Sequence, residues 1–120
     1  MKPHIEKTSF GSITIDGETI THDLLITLNG DIRKRKKKLS KKYYGTSHVL
    51  SLDEAQYIYE EGVEKIIFGT GQFGRCSLSD EAEMFFERVG CEVQLLPTPE
   101  AIQVWNDSQG RLIGLFHLTC

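Results

Sequence analysis

Two periodicities divide this chain near residue 50. Before that point apolar and polar positions alternate; after it, apolar residues recur at helical spacing between short apolar runs. Over residues 10–15, Ile13 and Ile15 stand on one side and Ser12 and Thr14 on the other, and Asp16-Gly17 supplies the two-residue turn of a tight hairpin. The run 18–28, rich in Thr, Ile and Leu, predicts a second strand ending at Asn29-Gly30, another hairpin turn. A third strand starts at Asp31 and fades into a basic run.

From Ser51 the pattern changes. Ser51-Leu52-Asp53-Glu54 is a capping box, and Ala55, Ile58, Tyr59 and Gly62 follow at helical spacing. Gly62 closes that helix, and residues 63–68 read as a buried strand. Ser79, followed by Asp80 and Glu81, opens a second helix with acids suited to its N-terminal dipole. Ala82, Phe85, Phe86 and Val89 form its apolar stripe, and Gly90 ends it. Residues 92–96 make a strand. Thr98 is the expected cap of a third helix, with Pro99 in the first turn where a missing N–H costs nothing. Ala101, Val104 and Trp105 face inward, Gly110 breaks the helix, and residues 112–118 are a last strand.

The predicted order is β-β-β-α-β-α-β-α-β, an N-terminal antiparallel meander followed by α-β-α-β-α-β, hence an α/β fold with a mixed sheet, or with two sheets and helices on one side. No linker or low-complexity segment divides residues 1–120, which read as one domain. The helix-glycine-strand unit recurs at 51–68 and 79–96, too few copies for a solenoid.

Composition adds bounds. With 39% hydrophobic and 26% charged residues, the chain falls in the ordinary globular class. It carries no apolar run of membrane-spanning length and no apolar signal core after Met1, and its three widely spaced cysteines, Cys76, Cys91 and Cys120, do not suggest a disulfide framework. A reduced cytoplasmic setting is the expectation. The net charge of −3 conceals a division: Arg33, Lys34, Arg35, Lys36, Lys37, Lys38, Lys41 and Lys42 are eight of the fourteen basic residues. The rest of the chain is an acidic body.

Gly69-Thr70-Gly71-Gln72-Phe73-Gly74 follows the buried strand with G-x-G-x-x-G spacing. A dinucleotide site needs a helix opening within the glycines and an acid closing the next strand. Here Arg75-Cys76-Ser77-Leu78 intervene, and Leu95-Leu96-Pro97-Thr98 stand where the acid belongs. No nicotinamide, flavin or other cofactor is expected. Two readings of the loop stay open: a tight turn needing positive φ, or a nest of N–H groups receiving an anion with Thr70 and Gln72 as side-chain ligands.

The basic strip reads as a mobile loop that is either a solvated segment or a contact for an acidic protein surface, the chain's own acidic body included, or, with Tyr43 and Tyr44 beside it, as a nucleic-acid contact. If the third strand continues through Arg35, alternation sends Arg33 and Arg35 to one face, where Arg35 could pair an anion held at the glycine loop. The plainer reading is two solvent-facing arginines at a strand end. His48, in Gly45-Thr46-Ser47-His48, is a candidate acid–base or ligand-binding group, with a loop hydrogen-bonder as the plainer alternative. His117 and Cys120 are two ligand types without the further partners a metal site needs, and alternation separates them. Cys76 reads as a buried inert thiol despite its neighbour Arg75. No catalytic nucleophile–base grouping stands out.

Phe10-Gly11-x-Ile13, Asp16-Gly17, Gly69-Thr70-Gly71-Gln72, Thr98-Pro99-x-Ala101, Asn106 and the closing Phe116-His117-Leu118-Thr119-Cys120 occur in this order. In combination they resemble the adipogenesis-associated Mth-type domain family over nearly the whole chain. That family includes small archaeal and bacterial proteins, an adipogenesis-associated eukaryotic relative and a mitochondrial complex I assembly factor. The resemblance implies a three-layer β/β/α arrangement with a mixed sheet and, through the assembly-factor branch, binding to other proteins; it implies no established reaction. The strip from Arg33 to Lys42 looks like that of the prokaryotic members, and the assembly factor lacks the ending His117 to Cys120.

The leading expectation is therefore a small protein-interaction or assembly module with a protein partner, leaning away from catalysis. The alternatives are an anion binder or unrecognised enzyme using the glycine loop, and an RNA or single-stranded DNA binder using the basic strip. Pairing of two copies through an edge strand of the N-terminal meander stays open.

Overall fold

The computed structural model describes residues 2–120. Its centre is a five-stranded mixed sheet. β1 (Ile5–Ser9), β2 (Ser12–Ile15) and β3 (Glu18–Ile20) form a separate antiparallel sheet, with the expected turn at Asp16-Gly17, where φ is 48° and 85°. β4 (Leu24–Ile26) and β5 (Ile32–Lys34) form a hairpin across Asn29-Gly30, with Gly30 at φ 88°. α1 (Lys38–Tyr44), the short β6 (Val49–Leu50) and α2 (Leu52–Ile58) lead into β7 (Lys65–Thr70). β8 (Ser77–Leu78), α3 (Asp80–Arg88), β9 (Glu92–Leu96), α4 (Thr98–Asp107) and β10 (Leu112–His117) complete the chain.

The large sheet runs in the order β5-β4-β10-β7-β9. β10, β7 and β9 are parallel, and the β4–β5 hairpin adds antiparallel to β10. β7 and β10 are almost wholly buried, as strands covered on both faces must be. Alternation assigns the two cores. Leu24, Ile26, Ile67 and Phe116 pack against Ile5, Ile13 and Ile15 of the small sheet and against Ala101, Ile102 and Trp105 of α4. Leu25, Ile66, Phe68, Ile113 and Leu115 pack against Ala55 and Ile58 of α2 and Ala82 and Phe86 of α3. The fold is the α/β, three-layer arrangement expected. Among the described residues, no helix is long and apolar enough to cross a membrane.

Four local expectations change. The single strand 18–28 is two, β3 and β4, which belong to different sheets. The break falls at residues 21–23, because Asp23 turns its carboxylate into the protein instead of continuing the ladder. β1 was not anticipated: only Ile5 of its five residues is buried, so it carries no apolar alternation. α2 ends at Ile58, with Tyr59 extended, so Gly62 serves a turn four residues on rather than the helix end. Thr98 does not cap α4, since its hydroxyl is engaged elsewhere. Ser51 and Ser79 do cap, accepting from the N–H groups of Glu54 and Ala82. The return bond of the Ser51–Glu54 box is replaced: the Ser51 N–H donates to Ser40 Oγ and the Glu54 carboxylate accepts from Arg35.

Candidate functional site

The break at Asp23 brings together a chain of buried polar side chains from five parts of the sequence. Arg35 lies just past β5, where the strand's exposed pattern ends and the side chain turns inward, while Arg33 stays exposed. Arg35 donates from Nε to Glu54 Oε2 at 2.7 Å and from Nη2 to Glu54 Oε1 at 3.0 Å, a bidentate pair. Its Nη1 reaches Asp23 Oδ2 at 3.1 Å, and Nη2 also donates to the Ser47 carbonyl. Asp23 continues the chain: Oδ2 lies 2.6 Å from His117 Nδ1, and Oδ1 accepts from the Leu118 N–H at 2.9 Å. Lys37 closes the outer side, 3.6 Å from Asp23. Among the described residues, no buried side-chain nitrogen or oxygen lacks a partner.

The electrostatics follow from that geometry. Burial alone raises the Asp23 pKa, but the His117 bond and charge, the Leu118 N–H and Lys37 outweigh it and hold the group at about 2. An ionised carboxylate only accepts, so the proton of its bond to His117 sits on Nδ1. That leaves His117 Nε2 facing the Thr119 hydroxyl at 3.3 Å. Burial works against the charge on Arg35, and Glu54 above all overcomes it, raising the guanidinium further. Arg35 is thus committed to two internal carboxylates. It is neither one of two solvent-facing arginines nor free to meet an anion.

His48 packs edge-on against His117, ring centroids 5.3 Å apart. Burial, then His117 and Arg35, lower its pKa, so it is neutral at physiological pH. Cys76 lies behind Arg35, 3.5 Å from the Ser47 carbonyl, and burial pushes its thiol up to about 11 despite the guanidinium. It is buried and not activated.

The glycine loop turns at positive φ at Gly71 (107°) and Gly74 (68°). Its N–H groups are largely spent inside the chain. Gly71 donates to Thr98 Oγ1, Gln72 to the Thr119 carbonyl, Gly74 back to the Gly71 carbonyl and Arg75 to the Cys120 carbonyl. Gln72 Nε2 donates to Thr8 Oγ1, and the buried Thr70 pairs its carbonyl with the Cys76 N–H. Helix α3 opens six residues after Gly74, at Asp80. The Thr98 hydroxyl bridges the carboxyl ends of β7 and β10, accepting from Gly71 and donating to the His117 carbonyl at 2.6 Å. A Cβ on Gly69 would stand 2.9 Å from Phe116 and 3.0 Å from Thr98 Oγ1, so backbone and side chains already close this site. The loop latches residues 117–120 to the sheet.

The basic strip is folded rather than a mobile loop. Its end is helix α1, closed by Gly45 at φ 68°. A seven-residue helix is marginal alone, and although Lys41 and Lys42 in its last turn favour its dipole, Lys38 in the first turn opposes it. Tertiary bonds hold it. Ser40, fully buried, donates to Glu54 Oε1, and Ser51 Oγ donates to the Leu39 carbonyl. Lys37 and Lys42 pair with Asp23 and Asp53, and Lys36 lies over the Tyr57 ring. Lys34, Lys38 and Lys41 are exposed with no carboxylate within ion-pair distance among the described residues. Tyr43 bonds Asp53, and Tyr44 is exposed beside it.

The strip is therefore a cationic ridge anchored at its root by Arg35. A family model described as "Protein of unknown function (DUF498/DUF598)" matches residues 5–113. The chain belongs to this family, that of the Mth938-like domains. It is 34% identical to the conserved hypothetical protein PH1505 from Pyrococcus horikoshii OT3, covering 100% of both chains with a TM-score of 0.87. It is 31% identical to MT938, over 99% of this chain and 100% of that one, TM-score 0.82. A Mth938-like domain protein of Bordetella pertussis shares the fold at 12% identity, over 97% of this chain and 85% of that one, TM-score 0.64. None of these Mth938-like relatives is described with a specific function.

Sequence reasoning singled out Arg35, His48 and the glycines but missed Asp23, Glu54 and the role of His117. The available signals were small: a His-Asp pair interrupting an apolar run, and a histidine inside an otherwise apolar final strand.

Proposed function

We propose that this Mth938-like protein is a protein-interaction module whose cationic ridge, β5 to α1, docks an acidic surface of a partner. One observation carries the reading: the exposed lysines Lys34, Lys38 and Lys41 stand on a segment fixed to the core by Arg35, Ser40 and Leu39. Lys38 and Lys41 are one turn apart on the same side of α1. Fixing the ridge in advance lowers the ordering cost of docking. Lys38 at the N-terminal end of α1 opposes the helix dipole, and among the described residues no carboxylate lies within ion-pair distance of it. An acidic partner would.

The glycine loop does not support an anion site equally well, because its donors serve the latch. RNA binding uses the same lysines, but Tyr43 is tied to Asp53 rather than free to stack.

Site-specific photo-crosslinking in the source cells tests the proposal. A crosslinking residue at position 38 or 41 is expected to trap one protein, and the same residue at exposed position 100 on α4 is not. No adduct at either ridge position, equal adducts at all three, or an adduct removed by nuclease would sink it.

A further inference from the structure

β9 is the outer strand of the large sheet, paired among the described residues only with β7. Every second residue along it therefore turns its N–H and C=O away from the sheet. Beside this edge lies a cavity of about 460 Å³ floored by Leu78, Phe86 and Val93. Leu95, 41% exposed, continues the apolar surface along the strand. Glu83 and Glu87, one turn apart on α3, line it with Glu92, and among the described residues no lysine or arginine does.

We propose that this edge is a second binding site, which takes an extended peptide segment of about five residues as a sixth strand on β9. Side chains of a strand alternate between faces, and Glu83 and Glu87 lie on the same side of the sheet, that of α3, as Leu78, Phe86 and Val93. The occupant therefore presents cationic and apolar side chains in turn at every second position, its apolar residue meeting Leu78, Phe86 and Val93 and its lysines or arginines meeting Glu83 and Glu87. A second copy of the chain fits poorly. Pairing β9 with β9 antiparallel would extend the sheet about a two-fold axis and place both α3 glutamate rows on one face, where they repel. The glutamates thus discourage self-pairing while favouring a basic strand. The site is separate from the cationic ridge and stands whether or not the ridge binds a partner.

The probe is a labelled acetyl-Lys-Thr-Val-Thr-Lys-amide, whose lysines and valine share one face as a strand, titrated by fluorescence anisotropy and mapped by amide NMR shifts on the whole protein. Saturable binding is expected below about 1 mM, with shifts centred on residues 92–96 and 83–87. The Glu83→Lys, Glu87→Lys double variant should weaken it by about tenfold or more with an unchanged native amide spectrum elsewhere. N-methylation of alternate peptide residues, which removes strand donors without touching the protein, should abolish it in one of the two registers. Lys34→Glu should leave it unaffected. No binding at about 1 mM, equal binding of the counterpart with glutamate in place of both lysines, shifts centred away from β9, or insensitivity to both the charge reversal and N-methylation would each overturn the proposal. So would a solution dimer held together through β9.

Discussion

Arg35 and Glu54 form a bidentate pair, 2.7 and 3.0 Å long, with both side chains completely buried. They are 19 residues apart in sequence and join the basic ridge to the first turn of α2. Glu54 also receives the Ser40 hydroxyl, so one carboxylate fixes both ends of the segment from the end of β5 to the middle of α1.

Removing the arginine alone leaves Asp23 and Glu54 buried without their shared cation. Arg35→Met is expected to cost about 3–5 kcal/mol in urea denaturation. The Arg35→Met, Glu54→Met double variant should be less destabilised than the single one, since replacing a buried pair by apolar side chains removes the stranded charge. A double variant as unstable as the sum of the singles would contradict the pairing.

Asp23 gives the fold an acid limit. Its pKa is held at about 2, below its ordinary 3.8, because it is ionised and paired in the folded chain. A depressed carboxylate contributes stability above its ordinary pKa, and that contribution disappears as pH falls through about 4 towards 2. The difference corresponds to about 2 kcal/mol. Asp23→Asn should be less stable than the wild type at neutral pH and should show a shallower loss between pH 4 and pH 2. Equal acid slopes in the two proteins would exclude Asp23 as the source.

Gly71 and Gly11 both sit at positive φ, 107° and 82°, but only Gly71 is crowded. A Cβ there would fall on the Cys120 carbonyl carbon and 2.9 Å from His117 Cδ2, whereas one on Gly11 meets nothing within 4 Å. Gly11→Ala is expected to cost about 1 kcal/mol from backbone strain alone. Gly71→Ala should cost more and should speed hydrogen exchange at Gln72 and Arg75, whose N–H groups hold residues 119 and 120. Comparable effects at the two sites would argue against the latch.

The thiols should divide by burial. Cys76 and Cys91 are buried with raised pKa values, Cys76 at about 11, and Cys120 is partly exposed. A colorimetric thiol reagent at pH 8 should titrate one group rapidly in the native protein and three after denaturation. Fast reaction of Cys76 would mean that its surroundings open in solution.

Local chemistry announced much of this fold. The Ser51 and Ser79 caps, the Asp16-Gly17 and Asn29-Gly30 turns and the buried β7 and β10 all follow from residue type and spacing. The network did not, because periodicity reports a residue's face and not its partner. Asp23 and His117 are 94 positions apart, and nothing in either neighbourhood names the other. The basic run misled for a related reason. Lysine tolerates a helix well, but a seven-residue helix forms only where something holds it, and Glu54, Ser51 and Leu39 do so through tertiary bonds.

Charge reversal on the ridge, read by affinity capture from lysate of the source cells with and without nuclease treatment, is the most direct measurement. The Lys34→Glu, Lys38→Glu, Lys41→Glu variant keeps Arg35 and Ser40, so its thermal midpoint should stay close to that of the wild type. A protein retained by the wild type at low salt, released as salt rises and absent from the variant is the expected result. A partner held equally by the folded variant, or captured nucleic acid in place of protein, would contradict the assignment of the ridge as a protein-docking surface.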